Sequence, residues 1–543
     1  MASSARDGAS RGKPPRSSRN AILVGAGILL SRLVGLVRER IFAHYFGSSE
    51  AADAFKAALK IPNLLQNLFG EGALSASFIP VYARLLAEGE TEEANRVARA
   101  VGSILALSIA ILVLIGVLAT PLLIDLIAPG FEGEKRAETI RMVRILFPGI
   151  GILVQSAWCL GILNSHRRFF LPYAAPVLWN AAMIGAMAGF GPRASGYRLA
   201  EIVAWGSVAG SALQLGVQLP SVFRLAGRLR PSLDAARPTV RTVIHNFVPS
   251  AGTRGVNQIS SYVDQILASF LPTGAVATLA YAQTLYLLPV SLFGMAVSSA
   301  ELPEMSGALG SGEERSRTLR ARLNGASARI AFFVIPSAAA FLLLGDAIAA
   351  IVFQTGRFGR EDSIRVWAVL AGSTVGLLAT TLGRLYASAF WALGDTRTPL
   401  RFAAARVVLT GGLGWLLSFP LARAAGVPQG FAVAGLTLSA GVAGWLEFAL
   451  LRAALGRRVG STGLPGPLAA RLWGAAIASA GTAFVLRRAL AAHLALPWIV
   501  PAGAALLLHA ACYLALARLL GVEQARGLSR AFAPGVGRRG AGR

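Results

Sequence analysis

Between residues 31 and 80 the chain reads SRLVGLVRERIFAHYFGSSEAADAFKAALKIPNLLQNLFGEGALSASFIP, an apolar stretch that carries Arg32, Arg38 and Asp53. A charge at bilayer depth is costly, so such side chains face a water-filled cavity and handle cargo. Arg32 and Arg38 are separated on a helix by about 9 Å of rise and about 120° of rotation. Gly35 lies angularly between them and leaves room for a ligand or a partner backbone. A guanidinium is always charged and forks onto two oxygens, so two at this spacing suit a diphosphate gripped from two sides. The alternative, snorkelling or pairing with Glu39 and Asp53, stays open at this point.

Asp53 and Glu71 flank the second apolar helix, with Lys56 and Lys60 between them and Pro62 expected to kink it. Local pairing of Asp53 with Lys56 or Lys60 is the competing reading. Asp264 stands mid-span with no charged neighbour in sequence, so it is protonated, ion-paired or part of a cation site. Arg254 is on the same helix about 15 Å away, too far to be its partner. It needs a partner elsewhere or a ligand. Arg384 and Arg406 read as structural.

These residues need a membrane scaffold, and the composition supplies one. Hydrophobic residues make up 55% of the 543 and charged ones only 14%, against roughly 25% charged in soluble domains. Apolar runs long enough to cross a bilayer recur along the whole chain. They lie near 21–46, 54–82, 97–120, 142–163, 172–190, 200–222, 242–270, 276–305, 325–350, 364–392, 400–420, 429–451, 470–489 and 497–518. The expectation is an all-α polytopic membrane protein of about fourteen transmembrane helices. Basic cytoplasmic tails are expected at 1–20, disordered, and at 521–543. The net charge of +26 would suit nucleic acid, but its distribution excludes that partner. With both termini cytoplasmic, internal segments hold roughly 30 Lys and Arg and external ones roughly a dozen, as the positive-inside rule requires. The five histidines and two cysteines show no metal-ligand spacing, and no Walker or dinucleotide pattern is present. No metal site, catalytic residue or cofactor is expected. Transport must draw on membrane potential, an ion gradient (a monovalent cation, for instance) or the cargo's own gradient.

The second half echoes the first at offsets of about 223–227 residues, as two bundles from one ancestral unit would. Arg38-x-x-Ile41-Phe42-Ala43 matches Asp264-Gln265-Ile266-Leu267-Ala268, and Ala52-Asp53-Ala54-Phe55 resembles Leu279-Ala280-Tyr281. Ser75-x-Ser77-Phe78-Ile79-Pro80 resembles the run Ser298 to Pro303, and Arg168-Phe169-Phe170-Leu171-Pro172 parallels Asp395-Thr396-Arg397-Thr398-Pro399. The lobes are placed at 21–223 and 242–452, of about six helices each, with two further helices in 469–520. Such transporters bind cargo where the halves meet and rock one half against the other.

The motifs SRLVGLVRERIFAHYFG, ADAFKAALKIPNLLQNLFGEGALSASFIPVYA, ILASFLPTGAV, VFQTGRFGRED and LGDTRTPLR, in this order, resemble the MurJ (MviN) family of lipid II flippases. The resemblance spans residues 21 to 520 and implies a bacterial inner-membrane protein with two pseudo-symmetric lobes and two appended C-terminal helices. It implies export of undecaprenyl-diphosphate-linked peptidoglycan precursor by alternating access, among membrane lipids and near cell-wall synthesis proteins. By position it implies cavity roles for Arg32, Arg38, Asp53 and Glu71. Where the family carries two further arginines, this chain has Gln66 and Thr284, and Arg254 is the expected compensation. Asp264 matches a carboxylate that some members use for sodium, but its usual polar partners are replaced by Thr410 and Gly414. Two other readings stay open: a flippase for another polyprenyl-linked oligosaccharide, and a non-transporting paralogue in cell-envelope assembly. A drug antiporter would show carboxylates in place of these arginines, and a polyprenyl-diphosphate enzyme would need a metal-binding carboxylate cluster.

Overall fold

The computed structural model describes residues 16–227, 230–307, 312–494 and 497–526, without the side chains of 16–24, 248–261 and 303. The expected tails at 1–15 and 527–543 lie outside the described residues, as does the side chain of Arg254. Apolar runs bounded by Gly, Pro and short polar loops fold as helices throughout, because only intrasegment hydrogen bonding satisfies a backbone within hydrocarbon. The first half comprises α1 (Arg16–Phe46), α2 (Glu50–Phe69), α3 (Glu71–Ala87), α4 (Thr91–Leu118), α5 (Thr120–Ile127), α6 (Gly133–Ser165), α7 (Phe170–Ala174), α8 (Pro176–Phe190) and α9 (Gly196–Ala226). The second comprises α10 (Pro238–Ser269), α11 (Ala275–Pro289), α12 (Ala296–Ser306), α13 (Gly312–Phe353), α14 (Arg360–Ala392), α15 (Arg397–Ser418), α16 (Pro420–Ala424) and α17 (Val433–Val459). Two last helices follow, α18 (Gly466–His493) and α19 (Ile499–Leu519). A π-helical turn, Val290–Met295, joins α11 to α12.

Among the described residues eleven helical stretches are long and apolar enough to cross a membrane. The stretches α1, α2–α3 and α10 fall outside that set; they contain the charges singled out above. Large apolar side chains such as Ile111, Leu114, Val408 and Leu507 point outward, as they would toward lipid. The chain is a multi-pass membrane protein.

One detail differs from the sequence expectation: helix α1 already begins at Arg16, inside the stretch expected to be a disordered tail. In the second span Pro62 lies inside α2, and a break follows at Gly70, where the backbone turns extended and its N–H returns to the Gln66 carbonyl at 2.9 Å.

Packing sorts the helices into two bundles. In the first, α6 lies against α2, α3, α4 and α9, and α8 fills the space between α9 and α1. In the second, α14 lies against α13, α17 and α11, and α15 covers α17. Helix α10 packs on α3 and α2 from one side and on α15 from the other, while α18 and α19 pair with each other and lean on α13. The Asp395–Thr398 motif is a helix cap. The N–H groups of Arg397 and Thr398 each donate to Asp395 Oδ1 at 3.0 Å, and Arg458 reaches Oδ2 at 2.6 Å. Those bonds, from Thr398 first and Arg458 after it, hold the Asp395 carboxyl below the usual carboxylate range.

Without a strong hydrophobic drive between helices in lipid, close approach must come from small residues. Gly376 of α14 and Gly441 of α17 meet so closely that a Cβ on Gly376 would stand 2.4 Å from the Gly441 Cα. Trp445 Nε1 donates to the Val375 carbonyl at 2.7 Å beside them. Gly376→Leu should force these helices apart and cost about 1–3 kcal/mol, read as a lowered thermal unfolding midpoint of the detergent-purified protein.

Candidate functional site

The charged residues of α1 and α2 converge where the two bundles meet. Asp53 is 1% exposed. It accepts from Lys135 Nζ of α6 and from the backbone N–H groups of Gly274 and Ala277, each at 2.8 Å. Those amides open α11, so a first-bundle carboxylate caps a second-bundle helix where its unpaired N–H groups and dipole favour an anion. Gly274 (φ +91°) makes the approach possible, since a Cβ there would lie 2.5 Å from the Ser48 carbonyl. The sequence reading gave Asp53 to substrate, with Lys56 or Lys60 as the competing partner. In this conformation it is a buried clasp instead, and its cation is Lys135, from a helix that sequence proximity did not suggest.

Lys56 is taken by Glu39 at 2.5 Å, and Glu39 also accepts from Arg38 at 2.6 Å. Lys56 Nζ sits 4.3 Å over the Phe42 ring and 5.4 Å from that of Tyr281, where aromatic faces favour a cation. Around it Phe42, Phe55, Tyr281, Phe353 and Phe358 form a continuous aromatic cluster drawn from both bundles. Further bonds close the same end. Tyr281 donates to the Gly47 carbonyl at 2.9 Å, the Arg357 N–H donates to the His44 carbonyl at 2.8 Å, and Arg40 donates to the carbonyls of Ile351 and Val352.

Arg38, besides its Glu39 contact, lies 4.9 Å from the centroid of the Trp179 ring. Arg32 is exposed and donates to the Ser291 hydroxyl on the π-helical turn. Such turns insert one extra residue into a helix and are frequent at functional sites. Gly35, between the arginines, has only Asn180 Oδ1 near where a Cβ would be, at 3.9 Å, so the space is free of packed backbone. Thr284 is half-buried about two helical turns before Ser291 and donates to the Ala280 carbonyl at 3.0 Å. Gln66 is half-buried near the end of α2, and Glu71, at the start of α3, hydrogen-bonds the Tyr173 hydroxyl.

Asp264 has neighbours that sequence proximity did not reveal. Lys60 of α2 and Arg406 of α15 are the cations that face it, and Arg406 also pairs with Glu447 of α17 at 3.0 Å. Among the described residues Asp264 Oδ1 is buried without a hydrogen-bond partner. Thr410 is buried, and its carbonyl accepts from Ser439 at 3.2 Å. No group of three or more His, Cys, Asp or Glu placed to hold a metal ion occurs among the described residues.

Two helical bundles that meet across a charged seam, one capped by the other's carboxylate, define an alternating-access type of membrane transporter fold. The comparisons make this specific. The family profile described as "Lipid II flippase MurJ" matches residues 42–510. A probable lipid II flippase MurJ of Rhizobium meliloti (strain 1021) is 32% identical over 413 residues, 74% of this chain and 76% of that protein. The lipid II flippase MurJ of Burkholderia cenocepacia is 32% identical over 404 residues, covering 72% and 76%. Among solved structures, a lipid II flippase MurJ in an inward closed conformation superposes with a TM-score of 0.73 at 23% identity, covering 92% of this chain and 99% of that one. An inward-facing multidrug resistance MATE family transporter of the MOP superfamily gives 0.59 at 18% identity, covering 80% and 98%. The chain belongs to the lipid II flippase MurJ family. The matched stretch begins at Phe42, so Arg32 and Arg38 precede it.

Asp53→Ala would leave half-buried Lys135 without its carboxylate and strip two buried amides of their acceptor. Equilibrium unfolding in mixed micelles should show a loss of about 3–5 kcal/mol. Glu50→Ala, which removes an exposed acceptor of Tyr197 and Thr273, should cost less than about 1 kcal/mol.

Proposed function

We propose that this protein flips lipid II, the undecaprenyl-diphosphate-linked peptidoglycan precursor, across the bacterial inner membrane by alternating access. Membership of the lipid II flippase MurJ family over residues 42–510 carries this reading. The concentration of interbundle bonds at one end supports it as well, because rocking two rigid bundles requires a seam that can part without either bundle unpacking. Both termini face the cytoplasm in this reading, since that orientation puts the basic loops inside. The clasped end, with Asp53, then faces out, and the headgroup cavity is loaded from within.

Arg32 and Arg38 hold the diphosphate. Arg32 is exposed beside a single neutral hydroxyl that a phosphate oxygen can displace, and Arg38 shares its carboxylate with Lys56, which leaves the trio net positive. Exposed Leu29, Leu33 and Val37 of α1 and Leu292 and Met295 of the π-helical turn offer an apolar flank for the polyprenyl chain while the headgroup crosses. Arg254 of α10 supplies charge that Gln66 and Thr284 lack. The energy comes from membrane potential, a monovalent cation gradient or the cargo gradient.

Complementation of cells depleted of their own lipid II flippase tests this. Rescue by the intact chain is expected, with rescue lost for Arg32→Ala, Arg38→Ala and Arg254→Ala at equal membrane expression. Normal growth on Arg254→Ala as sole copy would end the compensation idea, and failure of the intact, well-expressed chain would favour a different polyprenyl-linked glycan.

A further inference from the structure

A second cationic cavity lies beside the interbundle seam and outside it, between the ends of α13 and α18 and the starts of α14 and α19. It encloses about 810 Å³. Three guanidiniums line it, Arg360, Arg487 and Arg488, against one carboxylate, Asp346. Arg487 takes both oxygens of that carboxylate, at 2.8 Å each, and neither Arg360 nor Arg488 pairs with it among the described residues. The next acidic side chain along α14, Glu361, is bound to Arg365 at 2.5 Å. Arg488 is exposed, with its guanidinium 5.3 Å from the Phe484 ring, and Arg360 is exposed at the start of α14. Two cations thus face one cavity with no carboxylate between them among the described residues.

The surroundings identify the phase the cavity opens to. Trp367 and Trp498 line it, the latter 44% exposed. Indole rings settle at the headgroup level of a bilayer, and arginine stems reach that level from within the apolar layer. Leu342 on the same wall and Ile499 and Val500 beside Trp498 are exposed apolar side chains. A cavity with an apolar floor, an indole rim and two spare guanidiniums matches an anionic phospholipid, its phosphate forked by arginine and its acyl chains running down α18 and α19.

The geometry points to a structural binding site for an anionic phospholipid in this cavity, with Arg360 and Arg488 as its phosphate ligands and Arg487 fixed beside them by Asp346. The site adjoins the closing seam: Gln354 lines the cavity, and the loop it begins bonds α1 through Thr355 to His44 and Arg357 to the His44 carbonyl. An occupant would therefore brace the loop that holds the bundles together.

Native mass spectrometry of the full-length detergent-purified protein, titrated with phosphatidylglycerol or phosphatidylcholine of equal chain length, tests the assignment. Intact protein should retain phosphatidylglycerol preferentially. Removing each guanidinium should weaken that preference about fivefold, the scale of one cationic side chain at an anionic membrane surface. Arg360→Ala with Arg488→Ala should bring it to the phosphatidylcholine level, while Arg471→Ala at the other end of α18 should leave it unchanged. Arg488→Gln alone, a substitution at an exposed position, provides the same reading if the double variant folds poorly. Unchanged phosphatidylglycerol retention in these variants overturns the site. Loss of the adduct from intact protein on adding millimolar inorganic phosphate would show that free phosphate, and not lipid, is its ligand.

Discussion

The arrangement depends on how one carboxylate is kept buried where the two bundles meet. Ionised Asp53 without partners would be intolerable there, and its three partners come from two elements: a lysine on α6 and two amides that begin α11. None of these is near it in sequence. Lys135 supplies a counter-ion within the first bundle, and the full set of partners is assembled only when α2 meets the start of α11 in the second bundle. The aromatic cluster of Phe42, Phe55, Tyr281 and Phe353 is likewise buried and drawn from both bundles.

The same logic separates two kinds of arginine on α1. Arg38 is held by Glu39 and Trp179 and sits in a chain of charge that ends on Lys56 over Phe42. Arg32 has a hydroxyl partner and an exposed position. The first is positioned, the second available. A diphosphate that reached them would meet one fixed and one adaptable guanidinium, which suits a cargo that must be gripped and then released.

Much of this was legible in the sequence, and the parts that were not share a cause. Eleven of the expected spans coincide with described helices long and apolar enough to cross a membrane, because lipid imposes one rule on such segments. The stretches α1, α2–α3 and α10, which carry the charges, fall outside that set. Arg168–Pro172 and Asp395–Pro399, which echo each other in sequence, each run into a helix, α7 and α15. The arginines of α1 were visible because they interrupt an apolar run. Their partners were not. Lys135 sits at the start of a long helix among exposed charges, and nothing in its neighbours marks it as the counter-ion of Asp53. Asp264 read as isolated because Lys60 and Arg406 reach it from α2 and α15, helices that its own sequence context does not name. The break at Gly70, which the sequence reading did not place, has a local reason: the Gly70 backbone turns extended and ends the hydrogen-bond ladder.

The contrast between contacts within bundles and between them sets what the molecule can do. Inside the second bundle, α14 and α17 touch backbone to backbone through Gly376 and Gly441, an interface with no room to slide. Across the clasped end, closure rests on hydrogen bonds to carbonyls, amides and a carboxylate, and on aromatic rings that meet at tilted or edge-on angles. Such bonds can exchange for water one at a time as that end opens, while the glycine-packed interfaces cannot part without voids. That division explains why the charges are gathered at the seam: a polar joint opens at modest cost once water enters, whereas an apolar one of the same area would resist parting in proportion to the surface exposed.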